Sequence, residues 1–225
     1  MRIPHGRMTD WLAAVTTAIF LLLWLAGQID YAALVGGFIP ARVTDAAAVV
    51  AQGAPATMLP VWLTPLSATL VHANWLHIAF NMLMLFFCGR HVEHVTGPWL
   101  LLALYAIGAY ASAGAEWLFT MHALNPMVGA SGAISALLAT YALLYSQQKV
   151  KAVGPISANA VRILWLAAGW TAIQIMIGLA MRGDGLGVGQ VAIAAHIGGF
   201  VAGLLVTRPL LHLRFRKGLK GLAKR

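Results

Sequence analysis

Gly129-Ala130-Ser131-Gly132-Ala133-Ile134-Ser135-Ala136-Leu137-Leu138-Ala139-Thr140-Tyr141-Ala142-Leu143-Leu144-Tyr145-Ser146-Gln147 carries no charge along its length and opens on glycines around a serine. As a helix, the 17 residues from Ser131 to Gln147 measure about 25 Å at about 1.5 Å per residue, short of the roughly 30 Å of a hydrocarbon core. A helix that starts at Ser131 and ends at one membrane face leaves the serine below the other face. The connection before it, Met121–Ala130, must then dip inward. Non-helical backbone tolerates that depth only when it is buried in protein or lines a watery cavity.

The rest of the chain asks for the same solvent. Of its 225 residues 60% are hydrophobic and 9% charged, with a mean hydropathy of +0.80, whereas soluble domains carry about 25% charged residues. Apolar runs near the span length occur at Trp11–Gln28, Trp75–Gly89, Pro98–Phe119, Ser131–Gln147, Val161–Met181 and Val191–His212, which predicts an all-α membrane protein with a six-helix bundle. The length suits one compact domain over residues 1–225, with a short N-terminus of about residues 1–9 and a basic tail of about residues 213–225. The run from Trp11 exceeds a signal-peptide core of about 7–15 residues, so it is expected to stay as the first span.

Charge orients the bundle. All but two of the 15 Lys and Arg residues fall at the N-terminus, at Arg90, between Lys149 and Arg162, or in the tail from Arg208; the exceptions are Arg42 and Arg182. Both termini are therefore expected in the cytoplasm, and a bacterial inner membrane fits this pattern. The formal net charge of +9 does not indicate nucleic acid, because the basic residues lie between and after apolar runs as cytoplasmic loops require. Acidic residues weigh little here; Asp30, Asp45, Glu116 and Asp184 are assigned to the outer side and Glu93 to the inner. The single cysteine, Cys88, lies in an apolar run and reads as a small packing residue. The first outer connection, about residues 29–71, is long and rich in Gly and Pro, so short helices of its own are expected at the outer leaflet.

Polar residues inside spans are expensive and each needs a reason. His77 and Asn81, four apart, share a helix face that must look into the bundle, with His72 where the chain enters that helix. Such a histidine reads equally as an interhelical tie. Gly129, Ala130, Ser131 and Gly132 open the fourth span: glycines permit a sharp turn and close approach, and first-turn N–H groups are free to hold negative charge. Taken alone, this is also what a capping serine looks like. In the last span His196, Gly199 and Gly203 form one stripe at helical spacing, and Ser131, Ser135 and Ala139 form another. If the stripes pack, His196 faces Ser131 across a close helix pair.

In motif order and spacing these groups resemble the rhomboid intramembrane serine proteases, and the resemblance covers nearly the whole chain. It implies Ser131 as nucleophile, His196 as general base and later acid, and His77, Asn81 and the Ser131 backbone N–H as the oxyanion site. His72, Gly129, Gly132 and Gly199 support them. It further implies membrane-protein substrates met within the lipid bilayer, and no cofactor, metal or nucleic acid. Two features depart from the family pattern: no Trp-Arg pair occurs in the first outer loop, and Ser135 stands where an aromatic residue is common.

Other classes fit less of the sequence. A metalloprotease built on His72, His77 and His196 lacks His-Glu-x-x-His, and a haem carrier using His77 and His196 leaves Gly-Ala-Ser-Gly idle. A noncatalytic relative that binds transmembrane segments has no need of both Ser131 and His196. The run Gly183–Gly189 has no preceding strand, so it is not a phosphate loop; it is expected to cap the site. No carboxylate is expected beside His196, since Glu116 and Asp184 are assigned to outer loops, which predicts a dyad rather than a triad.

Overall fold

A computed structural model of the chain describes residues 4–145, 150–180 and 192–222. Helices dominate the described residues, and the only extended pairings among them are the isolated bridges Phe38–Met127 and Val153–Ile156. In order the helices are α1 (Arg7–Leu25), α2 (Ile29–Gly36), α3 (Ala46–Ala51), α4 (Thr64–Ser67), α5 (Trp75–Met84), α6 (Arg90–Thr96), α7 (Pro98–Phe119), α8 (Ser131–Tyr145), α9 (Ala158–Ala180) and α10 (Ile193–Leu222).

Among the described residues α1, α7 and the Ile193–Phe215 part of α10 are long and apolar enough to cross a membrane. A fourth candidate is the pair Thr64–Leu70 and Trp75–Thr96, bent by 104°. The outward faces are apolar where a soluble protein would be charged: Leu25 is 73% exposed, Trp99 75% and Phe119 80%. In α1 the buried positions Thr9, Leu12, Ala13, Thr16 and Phe20 repeat every three or four residues, a single inward stripe.

Helix α8 is the axis of the bundle. Consecutive residues from Gly132 to Leu137, then Ala139 and Thr140, are all buried. Helices α7 and α10 close on it through residues without side chains. A methyl group on Gly108 would meet Ala136 and the Ala133 carbonyl, and one on Gly203 would strike the Ala136 backbone. Below these contacts the Thr140 and Thr207 hydroxyls hydrogen-bond at 2.7 Å. At 15 residues, α8 is about 22 Å long; residues 146–149, in which the sequence placed its end, lie outside the described residues.

Two assignments of charge are corrected by the fold. Arg90 is not in a connection: a π-turn over Leu85–Gly89 carries α5 directly into α6, and Arg90 pairs with Asp10 at 2.7 Å. Arg162 lies inside α9, where its guanidinium donates to the Ala142 and Leu143 carbonyls of α8. The long first connection does form short helices, α2 to α4. It is tied to the α7–α8 connection by paired Phe38 and Met127 backbone bonds, by Ala41 N–H to the Ala123 carbonyl, and by Gly129 N–H to the Ala68 carbonyl. These bonds pair backbone groups of both irregular connections. Arg42, itself buried, donates to the Leu59 carbonyl within the same layer. The Gly183–Gly189 run lies outside the described residues, as do Arg182 and Asp184.

At the end of the bundle opposite Ser131, the buried Glu93 carboxylate accepts from Met8 N–H, Thr9 N–H and the Thr9 hydroxyl at 3.0, 2.8 and 2.7 Å. The contact joins α1 to α6 across more than eighty residues of chain. Replacing Glu93 by Ala strands these donors, and a buried donor without an acceptor costs about 1–3 kcal/mol. Glu93→Ala should therefore lower the unfolding free energy in detergent micelles by about 2–4 kcal/mol, seen as a lower unfolding midpoint, whereas Thr9→Val should cost about half as much. Unchanged midpoints in both variants would contradict the role given to this contact.

Candidate active site

The Asn74 side chain accepts from His77 N–H at 2.8 Å and so starts α5. One turn on, Asn81 Nδ2 donates to the His77 carbonyl at 2.8 Å; its Oδ1 is buried with no hydrogen-bond partner among the described residues. Ala73 N–H points at His77 Nδ1 at 3.4 Å, which turns the opposite ring edge toward Gly129. A methyl group on Gly129 would overlap His77 Nε2 and Cε1, and its φ of +110° already favours glycine. His72 is fully buried, with its ring centroid 5.0 Å from that of His77, and its Nε2 receives Ala130 N–H at 3.4 Å.

These contacts present Ser131 at the first position of α8. Its Oγ lies 2.7 Å from His196 Nε2, a distance at which the hydroxyl can donate to a neutral imidazole protonated on Nδ1. Small residues allow the approach. A methyl group on Gly199 would collide with the Gly132 carbonyl, and one on Gly132 with the Ser112 hydroxyl, so α7, α8 and α10 meet with almost no side chain between them. From the other side the Trp170 indole donates to the His196 carbonyl at 3.3 Å and stacks on Phe200, centroids 5.2 Å apart.

A cavity of about 130 Å³ lies under the Ser131–His196 pair. Phe80, Asn81 and Met84 of α5 form one wall, Ile134, Ser135 and Leu138 of α8 another, and Trp170 a third. Ser135 is buried and spends its hydroxyl on the Ser131 carbonyl at 2.8 Å, so the position opens the cavity without leaving a bare polar group. Ser131, His196, His77, Asn81, His72, Gly129, Gly132 and Gly199 are thus gathered at one end of the bundle. Trp170 was not singled out from the sequence, because a tryptophan in an apolar run looks the same whether it faces lipid or a cavity. Glu116, assigned above to an outer loop, lies in the last turn of α7, half-buried and close to the Ala195 backbone.

Residues 60–213 match the Rhomboid domain family, a span that holds every residue of this site. The chain belongs to the rhomboid family. It is 29% identical over 204 residues to the rhomboid protease GlpG of Pectobacterium atrosepticum, covering 89% of this chain and 62% of that protein. Over 149 residues it is 30% identical to the rhomboid protease GluP of Bacillus subtilis (66% of this chain, 26% of the relative). Over 162 residues it is 29% identical to the rhomboid protease AarA of Providencia stuartii (65% and 54%). The chain thus spans less than two thirds of the length of these rhomboid relatives. With its apolar helices, membership makes it an integral membrane protein.

Because Gly199 sets the distance between α8 and α10, a single methyl group there should break the serine–histidine contact. In Gly199→Ala, the imidazole ¹⁵N shifts of His196 should move to those of Ser131→Ala. Shifts that stay at the wild-type values would mean that the contact does not depend on this glycine.

Proposed function

We propose that this rhomboid is an intramembrane serine endopeptidase that cleaves transmembrane segments near the extracytoplasmic face through a Ser131–His196 dyad. The observation that carries it is the 2.7 Å contact between Ser131 Oγ and His196 Nε2 at the head of α8. His196 takes the Ser131 proton as the hydroxyl attacks a peptide carbonyl, and later returns it to the leaving amine. Water then hydrolyses the acyl-enzyme with His196 again as base. The developing oxyanion is held by the Ser131 backbone N–H, the second N–H of the Asn81 amide, and His77 beside Gly129. His72, Gly129, Gly132 and Gly199 support this arrangement. Helices α8 and α9, added to the three long helices and the bent pair, complete a six-span bundle over one domain. The basic segments put both termini in the cytoplasm, and the bacterial relatives favour an inner membrane.

Substrate choice follows from depth. A transmembrane helix hides its carbonyls in internal hydrogen bonds, and in lipid a broken bond finds no water. Segments with Gly, Pro or β-branched residues in the outer third of the span should unwind at least cost where Ser131 lies. A small residue is favoured before the scissile bond, where Gly129, Ala130 and Gly132 crowd the serine.

Ser131→Ala and His196→Ala should each remove nearly all proteolysis in proteoliposomes while the protein stays inserted, since the two act as a unit. Turnover above a few percent of wild type in either variant would sink the dyad. Asn81→Ala should lower kcat about 10²–10³-fold with little change in KM; an unchanged kcat would remove Asn81 from the oxyanion site. In a single-span reporter with a glycine-containing stretch moved stepwise through the membrane, cleavage mapped by mass spectrometry should be confined to the outer third. Efficient cleavage in the cytoplasmic third, or of an all-leucine span, would contradict the depth.

A further inference from the structure

Glu116 is an ionisable residue in the last turn of a helix long and apolar enough to span a membrane, and a carboxyl there calls for a polar partner. Its location is fixed by the antiparallel packing of α7 on α10. A methyl group on Gly199 would meet Ser112 as well as Gly132, and one on Gly198 would meet Ala115 and the Ala111 carbonyl. One turn beyond Ser112 along α7 is Glu116, and one turn before Gly199 along α10 is Ala195, so continuing the same register brings the two together. That register sets the Glu116 carboxylate close to the Ala195 backbone, and its Oε1 receives the Thr120 hydroxyl at 3.4 Å. Oε2 is buried with no hydrogen-bond partner among the described residues.

Ala195 belongs to the first turn of α10, whose N–H groups have no intrahelical acceptors. A carboxylate there satisfies such a donor and complements the positive end of the helix dipole. The next residue is His196. Its ring must stay within hydrogen-bond distance of Ser131, and an error of about 1 Å in such a placement can cost about 10²-fold in rate. The glycine stripe at Gly199 and Gly203 holds α10 against α8 below the histidine, but nothing in that stripe holds the turn above it.

We infer that Glu116 is a positioning residue, an acceptor on α7 that clamps the first turn of α10 and so fixes the height of His196 against Ser131. The inference rests on the proposed Ser131–His196 chemistry. Glutamine keeps an acceptor oxygen and the shape of the side chain, so it should substitute; alanine and methionine remove the acceptor.

The test uses the full chain in proteoliposomes with a fluorogenic single-span substrate, together with backbone hydrogen exchange over residues 192–200. Glu116→Ala should lower kcat about 10–100-fold with KM within about twofold, and should speed exchange in the first turn of α10 about tenfold. Glu116→Gln should bring both back to within about threefold of wild type. If Glu116→Ala does not fold, Glu116→Met, which keeps the bulk, is read against the same expectations. The inference is overturned if kcat stays within about twofold of wild type, if the glutamine variant is as slow as alanine, or if the loss lies in KM. Wild-type turnover that survives Ser131→Ala would overturn the proposed chemistry itself, and this inference with it.

Discussion

The near-contact of α8 and α10 at Gly132, Gly199 and Gly203 is the constraint on which the rest of the structure depends. In lipid, helices gain little from hiding apolar surface, since the surroundings are as apolar as their side chains; they associate by close packing and by shared polar contacts. Glycines at these crossings bring two backbones together and let α7 lie against both. Only at that separation can a serine on one helix and a histidine on the other share a hydrogen bond of 2.7 Å. The Thr140–Thr207 hydroxyl pair farther down the interface extends the same approach and fixes its register.

A second constraint is set by the Met121–Ala130 connection, which carries irregular backbone from the end of α7 to the head of α8 and whose peptide groups need partners. The chain answers with cover from its own first connection: the Phe38–Met127 bridge, the Ala68 carbonyl under Gly129 and the His72 ring under Ala130 take up the exposed backbone groups. The covering layer therefore does two things. It pairs the backbone of the connection, and through the Ala68 carbonyl it holds Gly129 beside His77 so that the polar groups converge at the helix start.

Much of this could be read from the chain because it is periodic or local. The stripe His196, Gly199 and Gly203 declares one face of a helix, His77 and Asn81 declare another, and the glycines around Ser131 mark a turn whose backbone is approached closely. What could not be read depends on contacts between distant segments that leave no period. Nothing in the sequence links Glu93 to Thr9, or shows that Leu85–Gly89 winds as a π-turn instead of ending the helix at Arg90. Glu116 was misplaced for a related reason: a charged residue near the end of an apolar run is ordinarily assigned to the adjoining loop, and only the crossing of α7 with α10 shows what faces it. Ser135 is a milder case. Its size was plain in the sequence, but that its hydroxyl turns back to the Ser131 carbonyl and leaves a cavity under the histidine required the fold.

The central claim is that Ser131, at the head of α8, is activated by His196. It is tested most directly by treating membranes that hold the intact protein with a fluorophosphonate and mapping the modified residue by mass spectrometry. Covalent modification at Ser131 in the wild type, lost in His196→Ala, is the predicted result. Modification of another residue, or labelling of Ser131 that persists at the wild-type rate without His196, would contradict it.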